Sequence, residues 1–348
     1  MRRGGFVLGL LWIAAATAAE ARVLRIGLAP NLAANQPYSQ PAARRQVARV
    51  MDAGANILTV SETWAELEPA PHTYRFDDLD FWIGEADRYD VPVVLTVRVI
   101  ETNHRALPAD LQNKPFDGRS VRRRLAALFD ALAEHAGGRI NRLIIGNEVD
   151  VYLRQHPGEV TAFATLLRRA RARLRHALPG TRVSSTVTFT GLVDGSDLLG
   201  PLRPYLDFVA LTYYPLRSDF LMRDPDRVDG DVQRMVEAAQ GKRLLLVEAG
   251  YASSPAVDGS DERQARFVDR MFDAVETRAN EFIGVNFFLL ADFSEAFIEE
   301  AAQAYGFPFD SNFRNYIGSI GFSDRTGVSK PSWTRFDSRL RKLRAMQK

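Results

Sequence analysis

Apolar runs of strand length alternate with amphipathic stretches along most of the chain. A near-continuous apolar run is typical of a parallel strand that is covered on both faces. The predicted strands are residues 23–28, 56–60, 91–97, 140–146, 182–189, 208–213, 243–247 and 283–290. Strands that alternate with helices at this spacing indicate a parallel sheet, and right-handed crossovers close such a sheet into a ring. The pattern therefore predicts an α/β fold, a single-domain (β/α)8 TIM barrel.

The stretches between the strands repeat apolar residues at helical spacing. The predicted helices are residues 42–53, 79–89, 120–136, 159–177, 228–240 and 261–279, with a last helix over 331–346. The linker at 192–206 is only weakly helical. Residues 293–330 are longer than a usual loop and rich in aromatic side chains, and we expect them to lie over the barrel mouth. No linker rich in Pro, Gly or Ser divides the chain, so residues 22–348 are predicted to be one domain.

The N-terminus has the features of a secretory signal. Arg2 and Arg3 precede an apolar stretch over residues 6–19, and small residues follow near Ala21. The alternative is a membrane anchor, but a helix needs about 20 apolar residues to span a bilayer, and this stretch is shorter. We predict a signal peptide over residues 1–21, export to the periplasm or the medium, and no stable membrane insertion after its removal.

Composition excludes several classes of function. The net charge of +2 does not favour a nucleic-acid partner. The basic run at 168–175 shares its helix with Leu166, Leu167 and Leu174, which is typical of a solvated outer face. The chain has no cysteine, and its five histidines lack the spacing of a metal motif. Neither a G-x-S-x-G elbow nor a glycine-rich phosphate loop is present. We therefore expect no metal and no cofactor.

Two glutamates stand where apolar runs stop. Glu148 follows the fourth run directly after Asn147, and Glu248 ends the seventh. The carboxyl ends of barrel strands carry the chemistry of this fold, and a pair of carboxyl groups is what glycoside hydrolysis requires. Either glutamate alone is more often solvated or salt-bridged. Together, at two strand ends, they indicate a site.

Motifs around these strands resemble those of the clan A glycoside hydrolases, and most of all the β-1,4-galactanase branch. The resemblance covers nearly the whole chain after residue 21. Its segments are 64–69, 74–80, 146–148, 211–215, 247–251 and 327–333, which include Gly-Asn-Glu, Leu-Thr-Tyr-Tyr-Pro and Val-Glu-Ala-Gly-Tyr. The resemblance implies a (β/α)8 barrel that hydrolyses a β-linked glycan with retention of configuration.

The resemblance also implies roles for particular residues. Glu148 would be the acid/base, with its pKa raised by a dry pocket and a nearby negative charge, and Glu248 the nucleophile. A hydroxyl of Tyr213 or Tyr214 would hold Glu248 ionised, and alternation along the strand allows only one of them to face the site. Asn147 would bind the sugar 2-hydroxyl.

Four further residues are weaker candidates for substrate binding. Trp64 could stack on a sugar or cap the barrel. Arg98 and Asn103 follow the third strand and could reach the ligand, although a structural salt bridge fits Arg98 better. Asp292 follows the eighth strand and could contact a hydroxyl.

The chain departs from the clan at two strands. Members often carry a Trp after strand eight, whereas this sequence has Phe287, Phe288 and Phe293. Strand three lacks the aromatic and acidic cluster associated with galactanases. Galactan is therefore not carried over as the substrate.

The sequence predicts an exported retaining glycoside hydrolase whose partner is an oligo- or polysaccharide. One alternative is a catalytically silent barrel that binds polysaccharide. The other is a transglycosylase acting on an envelope or exopolysaccharide. Neighbouring carboxyl groups in an open groove favour an enzyme, and glutamates buried in salt bridges favour a scaffold. Sugar identity, linkage, endo or exo action and oligomeric state carry no signal in the sequence.

Overall fold

Eight parallel strands form the centre of the computed structural model, which describes residues 23–194 and 198–346. The strands are β1 (Arg25–Leu28), β2 (Leu58–Thr63), β3 (Val93–Glu101), β4 (Ile140–Asn147), β5 (Arg182–Ser184 and Thr186–Thr188), β6 (Val209–Tyr213), β7 (Leu244–Ala249) and β8 (Phe282–Phe287). The sheet neighbours run β2-β3-β4-β5 and β5-β6-β7-β8-β1, all in parallel.

Two local devices complete the ring of strands. The first half of β5 pairs with β4 and its second half pairs with β6, and Ser185 between the halves donates to the Ile145 carbonyl at 2.6 Å. At the seam between β1 and β2, the Ile26 amide donates to Asn56 Oδ1 at 2.8 Å, and the Asn56 amide donates to the Ile26 carbonyl at 3.0 Å. One asparagine thus supplies hydrogen bonds that a strand ladder supplies elsewhere.

Helices surround the barrel and fill its mouth. They are α1 (Gln40–Asp52), α2 (Trp64–Leu67), α3 (Asp77–Arg88), α4 (Arg119–Ala136), α5 (Val149–Gln155), α6 (Val160–Ala177), α7 (Phe189–Val193), α8 (Val228–Ala239), α9 (Asp261–Thr277), α10 (Glu295–Tyr305), α11 (Ser311–Ile317) and α12 (Pro331–Met346). A two-residue strand, His104–Arg105, folds back antiparallel on the end of β3.

The core has two parts, as expected for strands covered on both faces. One cluster consists of residues on or next to the barrel strands: Ile57, Val94, Ile144, Phe208, Ala210, Leu245, Val247 and Ile283. A much larger cluster joins the strands to the surrounding helices. Near-continuous apolar runs follow from this arrangement, because each strand buries both of its faces.

The predicted fold class is confirmed, and the predicted elements need small corrections. Strand β3 continues to Glu101, four residues beyond the predicted end, and β8 stops at Phe287 rather than at residue 290. The weak linker after β5 contains only the short helix α7 and a 3-10 turn, Arg203–Tyr205. The signal peptide predicted over residues 1–21 lies outside the described residues. Within the described ranges, no helix is long and apolar enough to cross a membrane.

Candidate active site

Glu148 lies at a sharp turn between β4 and α5. Its backbone is left-handed, with φ 44° and ψ 43°, and Gly146 two residues earlier has φ 82°. A Cβ at Gly146 would come within 2.5 Å of Val149 Cγ1. A left-handed non-glycine residue costs about 1–3 kcal/mol and tends to be retained at functional sites. Thr102, which contacts Glu148, is also left-handed, with φ 45°.

Hydroxyl groups hold the Glu148 carboxyl group. Thr212 Oγ1 donates to Glu148 Oε1 at 2.6 Å, and Thr102 Oγ1 donates to Oε2 at 2.9 Å. Burial is the main cause that raises the pKa of Glu148 to about 7, although the Thr212 hydrogen bond opposes it. Within the described ranges, no arginine or lysine forms an ion pair with this carboxyl group.

Glu248 ends β7 and accepts a hydrogen bond from Tyr214 Oη at 2.8 Å. The Tyr214 ring fits against the strand because residue 250 is glycine: a Cβ there would lie 2.6 Å from Tyr214 Cε1. Burial first, and then the charge of Glu148, raises the pKa of Glu248 to about 8. Coupled carboxyl groups titrate as a pair, so both carboxyl groups change their protonation near neutral pH rather than near pH 4.5.

The side chains of the two adjacent tyrosines point in opposite directions. Tyr214 faces the glutamates, whereas Tyr213 is fully buried and donates to Asp231 Oδ2 on α8 at 3.0 Å. The strand therefore points Tyr213 outward, between the barrel and its helices. Of the two candidates, Tyr214 is the site residue and Tyr213 belongs to the packing.

Glu101, at the end of β3, links several predicted site residues. Asn147 Nδ2 donates to Glu101 Oε1 at 3.2 Å, and Arg98 Nη1 donates to Oε2 at 2.7 Å. Tyr305 Oη donates to Glu101 Oε1 at 3.3 Å. Asn147 is thus oriented beside Glu148, and Arg98 is in a salt bridge at the site's edge. Glu101 was not among the predicted site residues because the third strand was predicted to end at residue 97, although Val99 and Ile100 continue the apolar run.

Residues 293–330 cover part of the mouth, as expected. The Tyr316 ring on α11 packs edge-on against Tyr214, with centroids 5.6 Å apart. Burial, together with the negative charges of Glu148 and Glu248, raises the pKa of Tyr316 well above its ordinary value. Asn103 Nδ2 donates to the Tyr305 carbonyl at 3.1 Å, so Asn103 fastens this segment to the end of β3.

The side chains of Trp64 and Asp292 are buried and engaged by other residues of the protein. Trp64 is completely buried and donates from Nε1 to Glu68 Oε2 at 2.7 Å, so it caps the barrel and is not a sugar platform. Asp292 is buried in an ion pair with Lys330 at 2.7 Å and accepts the Gly321 amide at 2.7 Å. Its carboxylate is fully engaged, and this corrects the expected contact with a sugar hydroxyl.

The phenylalanines near β8 differ in exposure. Phe287 is buried in the core, whereas Phe288 and Phe293 are only partly buried, with centroids 6.1 Å apart. Phe293 stacks on the exposed Phe297 at 4.0 Å. Partly exposed aromatic rings thus follow β8, where clan members often carry a Trp.

This chain is similar in structure to several known proteins. No protein-family model matches the chain, and no curated protein matches it. The exo-β-1,4-mannosidase Op5Man5 from Opitutaceae bacterium strain TAV5 superposes with a TM-score of 0.72 at 16% identity. GH5_18 from Streptomyces cattleya, in complex with GlcNAc, superposes with a TM-score of 0.68 at 18% identity. Xylanase 10B from Thermotoga maritima superposes with a TM-score of 0.65 at 15% identity.

The shared region is the barrel. The alignments cover 93%, 93% and 92% of this chain and 60%, 81% and 96% of the three structures, in the same order. The chain therefore spans less than two thirds of the mannosidase. At these identities the likeness establishes the (β/α)8 fold. The structures are glycoside hydrolases, in agreement with the clan A resemblance, and they do not single out the galactanase branch.

Proposed function

We propose that the protein is an exported retaining glycoside hydrolase that cleaves a β-linked glycan. One observation carries the proposal: two partly buried carboxyl groups, at the ends of β4 and β7, have pKa values that burial raises to about 7 and about 8, and both accept hydrogen bonds from hydroxyl groups rather than from cations. A retaining glycosidase needs one protonated and one ionised carboxyl group at neutral pH. Two coupled carboxyl groups that titrate near neutral pH can meet that need.

Each residue then has a defined step. Glu148 donates its proton to the glycosidic oxygen while Glu248 attacks the anomeric carbon, and the leaving sugar departs. Glu148 next accepts a proton from water, which displaces Glu248 and restores both carboxyl groups. The Tyr214 hydroxyl stabilises ionised Glu248. Asn147, oriented by Glu101, is placed to bind the sugar 2-hydroxyl.

The silent polysaccharide-binding barrel is less consistent with the site. A scaffold gains nothing from two desolvated carboxyl groups without cationic partners, because burying them costs stability. Transglycosylation uses the same covalent intermediate and differs in the acceptor, so product analysis separates it from hydrolysis. The similar structures include a β-1,4-mannosidase and a xylanase, which supports a β-linked substrate. The proposal of export rests on residues 1–21.

Azide rescue tests the assignment of roles. On an aryl β-glycoside with an activated leaving group, Glu248→Ala should lose about 10⁴-fold or more in kcat, because no covalent intermediate forms. Added azide should restore turnover and give the α-glycosyl azide. Glu148→Ala should still form the intermediate from this substrate, and azide should then give the β-glycosyl azide.

The anomeric configuration of the two azides decides the outcome. Exchanged products would show that Glu148 and Glu248 have the opposite roles. A Glu248→Ala variant that keeps wild-type activity, or a wild type that is inactive on aryl β-glycosides and β-glycans alike, would overturn the proposed function. Glu300→Gln on the exposed face of α10 is the control for removal of a carboxylate.

A further inference from the structure

A cavity opens on the mouth side of the barrel, and neither of the two glutamates is among the residues that line it. It has a volume of about 680 Å³ and lies between the loop after β6 and the loop after β7. Its charged lining residues are Arg217, Arg223, Arg227, Arg263, Asp224 and Asp258. We call this cavity the arginine pocket. Its loops begin at the strands that end in Tyr213 and Ala249, so it shares the catalytic face of the barrel.

The charges that line the arginine pocket are not balanced. Arg217 approaches Asp258 at 3.4 Å, and Arg263 approaches Asp224 at 3.9 Å. Within the described ranges, the guanidinium groups of Arg223 and Arg227 form no ion pair and no hydrogen bond. Four arginines and two aspartates thus line the cavity, and neither Arg223 nor Arg227 is in an ion pair with one of the aspartates.

The pocket is connected to the active site through packed side chains. Phe220, on the loop that carries Arg217 and Arg223, stacks on Tyr316 with centroids 6.2 Å apart, and Tyr316 packs on Tyr214. The Tyr251 hydroxyl, three residues after Glu248, donates to the Arg223 carbonyl at 2.8 Å and accepts from Arg263 Nε at 3.0 Å.

This geometry holds the pocket at a fixed position relative to the glutamates. The Met222 amide also donates to the Val257 carbonyl at 2.9 Å and joins the two loops. Because the pocket and the glutamates share the mouth face of the barrel, a long polymer bound at the glutamates extends across the face on which the pocket opens.

Guanidinium groups select for anions. A planar guanidinium forms paired hydrogen bonds with a carboxylate, sulfate or phosphate, and its charge strengthens each bond. Arg and Asp side chains that are paired with each other are sufficient to form hydrogen bonds with the hydroxyl groups of a neutral sugar. Four arginines against two aspartates around one cavity leave an excess of positive charge, which a bound anion can balance.

We propose that the arginine pocket binds an acidic unit of the glycan, with a sugar carboxylate as the anion, and that the substrate is therefore an acidic β-glycan. This inference rests on the proposed function, because it assigns the substrate class of the same enzyme. Arg223 and Arg227 are its main binding residues, and Arg217 and Arg263, each near an aspartate, form the sides of the pocket.

Two probes of equal length and linkage test the inference: a β-1,4-linked oligoglucuronate and the neutral β-1,4-linked oligoglucoside. Binding is measured by calorimetry with Glu248→Ala protein, so that no turnover intervenes. We expect the oligoglucuronate to bind at least tenfold more tightly than the neutral probe. The double variant Arg223→Ala/Arg227→Ala should lose that advantage, and added salt should weaken the binding of the acidic probe alone.

Kinetics provide the second readout. With the double variant, KM for acidic glycan should rise tenfold or more with little change in kcat, while hydrolysis of a neutral aryl β-glycoside stays at the wild-type level. Arg168→Ala/Arg169→Ala, on the exposed face of α6, removes the same charge elsewhere and should change neither value. The variant Arg223→Lys/Arg227→Lys keeps the positive charge, so it should bind the acidic probe more tightly than the double alanine variant does. Such a partial recovery shows that the alanine variant lost affinity through its charge and not through misfolding.

Oligosaccharides that carry sulfate or phosphate distinguish the kind of anion. If the sulfated or the phosphorylated oligosaccharide binds more tightly than the oligoglucuronate, the anion that the pocket recognises is sulfate or phosphate rather than carboxylate. Equal binding of acidic and neutral probes, or an equal loss on both in the double variant, would overturn the inference. Inactivity of the wild type on every glycoside would instead overturn the proposed function, and the binding comparison would still decide the pocket.

Discussion

At the scale of single residues, the adjacent Tyr213 and Tyr214 have different roles because successive side chains of a strand point to opposite faces. Both have a hydroxyl that donates to a carboxylate, but Tyr213 reaches Asp231 on α8 and Tyr214 reaches Glu248. Loss of the first bond leaves a buried carboxylate without its donor. Loss of the second removes a donor that favours the ionised nucleophile. The two residues therefore provide a matched pair of variants.

Tyr214→Phe should reduce kcat/KM by roughly tenfold to a hundredfold, because a hydrogen bond to a charged group contributes about 1.5–3 kcal/mol. The pKa of Glu248 should rise without this donor, so the acid limb of the pH profile of kcat/KM should move to higher pH. Steady-state kinetics across pH on an aryl β-glycoside measure both effects.

Tyr213→Phe is the control for that variant. It should lower the free energy of unfolding by about 1–3 kcal/mol, because Asp231 stays buried and loses a partner. Its kcat and pH profile should match those of the wild type. The assignment of Tyr214 to the site would be refuted if the effects of the two variants were exchanged.

At the scale of elements, the stretch from β8 to α12 is held by a buried ion pair. Asp292 follows β8, and Lys330 immediately precedes α12. Lys330 Nζ also donates to Ser253 Oγ at 3.1 Å, beyond the end of β7. The pair therefore fixes the end of the segment that carries Tyr305 and Tyr316 over the glutamates. Its role is to position an element, and its carboxylate is not free for a sugar.

Asp292→Ala should lower the free energy of unfolding by about 3–5 kcal/mol, because it leaves the Lys330 ammonium buried without a counter-charge. Replacement of both partners, as Asp292→Leu/Lys330→Met, should recover much of that loss. Chemical denaturation measures the stability of both variants. If Asp292→Ala retained wild-type stability and instead raised KM, the carboxylate would be a substrate contact after all.

At the scale of the whole molecule, the active site reduces the stability of the fold at alkaline pH. Burial raises the pKa of Glu148 to about 7 and that of Glu248 to about 8, whereas the unfolded chain has ordinary glutamates near 4.5. Between these values the folded protein binds more protons than the unfolded chain, so its stability falls as pH rises. Below 4.5 both states are protonated and the difference disappears.

Glu148→Gln and Glu248→Gln should therefore stabilise the protein, by on the order of 1–3 kcal/mol above pH 8 and by little below pH 4.5. Thermal unfolding followed by circular dichroism from pH 4 to pH 9 measures the change. Glu300→Gln, on the exposed face of α10, should follow the wild-type curve. A constant gain at all pH values would show that the carboxyl groups are not desolvated as described.

The sequence was sufficient where the signal is local and repeated. Eight apolar runs, most of them followed by an amphipathic stretch, were enough to predict the barrel, because strands buried on both faces cannot be polar in the middle. The same logic placed Glu148 and Glu248 at strand ends, and hence on one face of the molecule. These conclusions need only the order of residues along the chain.

Tertiary structure decided what depends on the direction of a side chain and on its distant partners. It oriented Tyr214 inward and Tyr213 outward, paired Asp292 with Lys330 and buried Trp64 against Glu68. It also brought Glu101 and Thr102 from the end of β3, and Thr212 from β6, around the two glutamates. Among the described residues, it left the guanidinium groups of Arg223 and Arg227 without an ion pair. Most of these contacts join residues far apart in the chain, and their hydrogen-bond geometry is fixed only when the barrel closes.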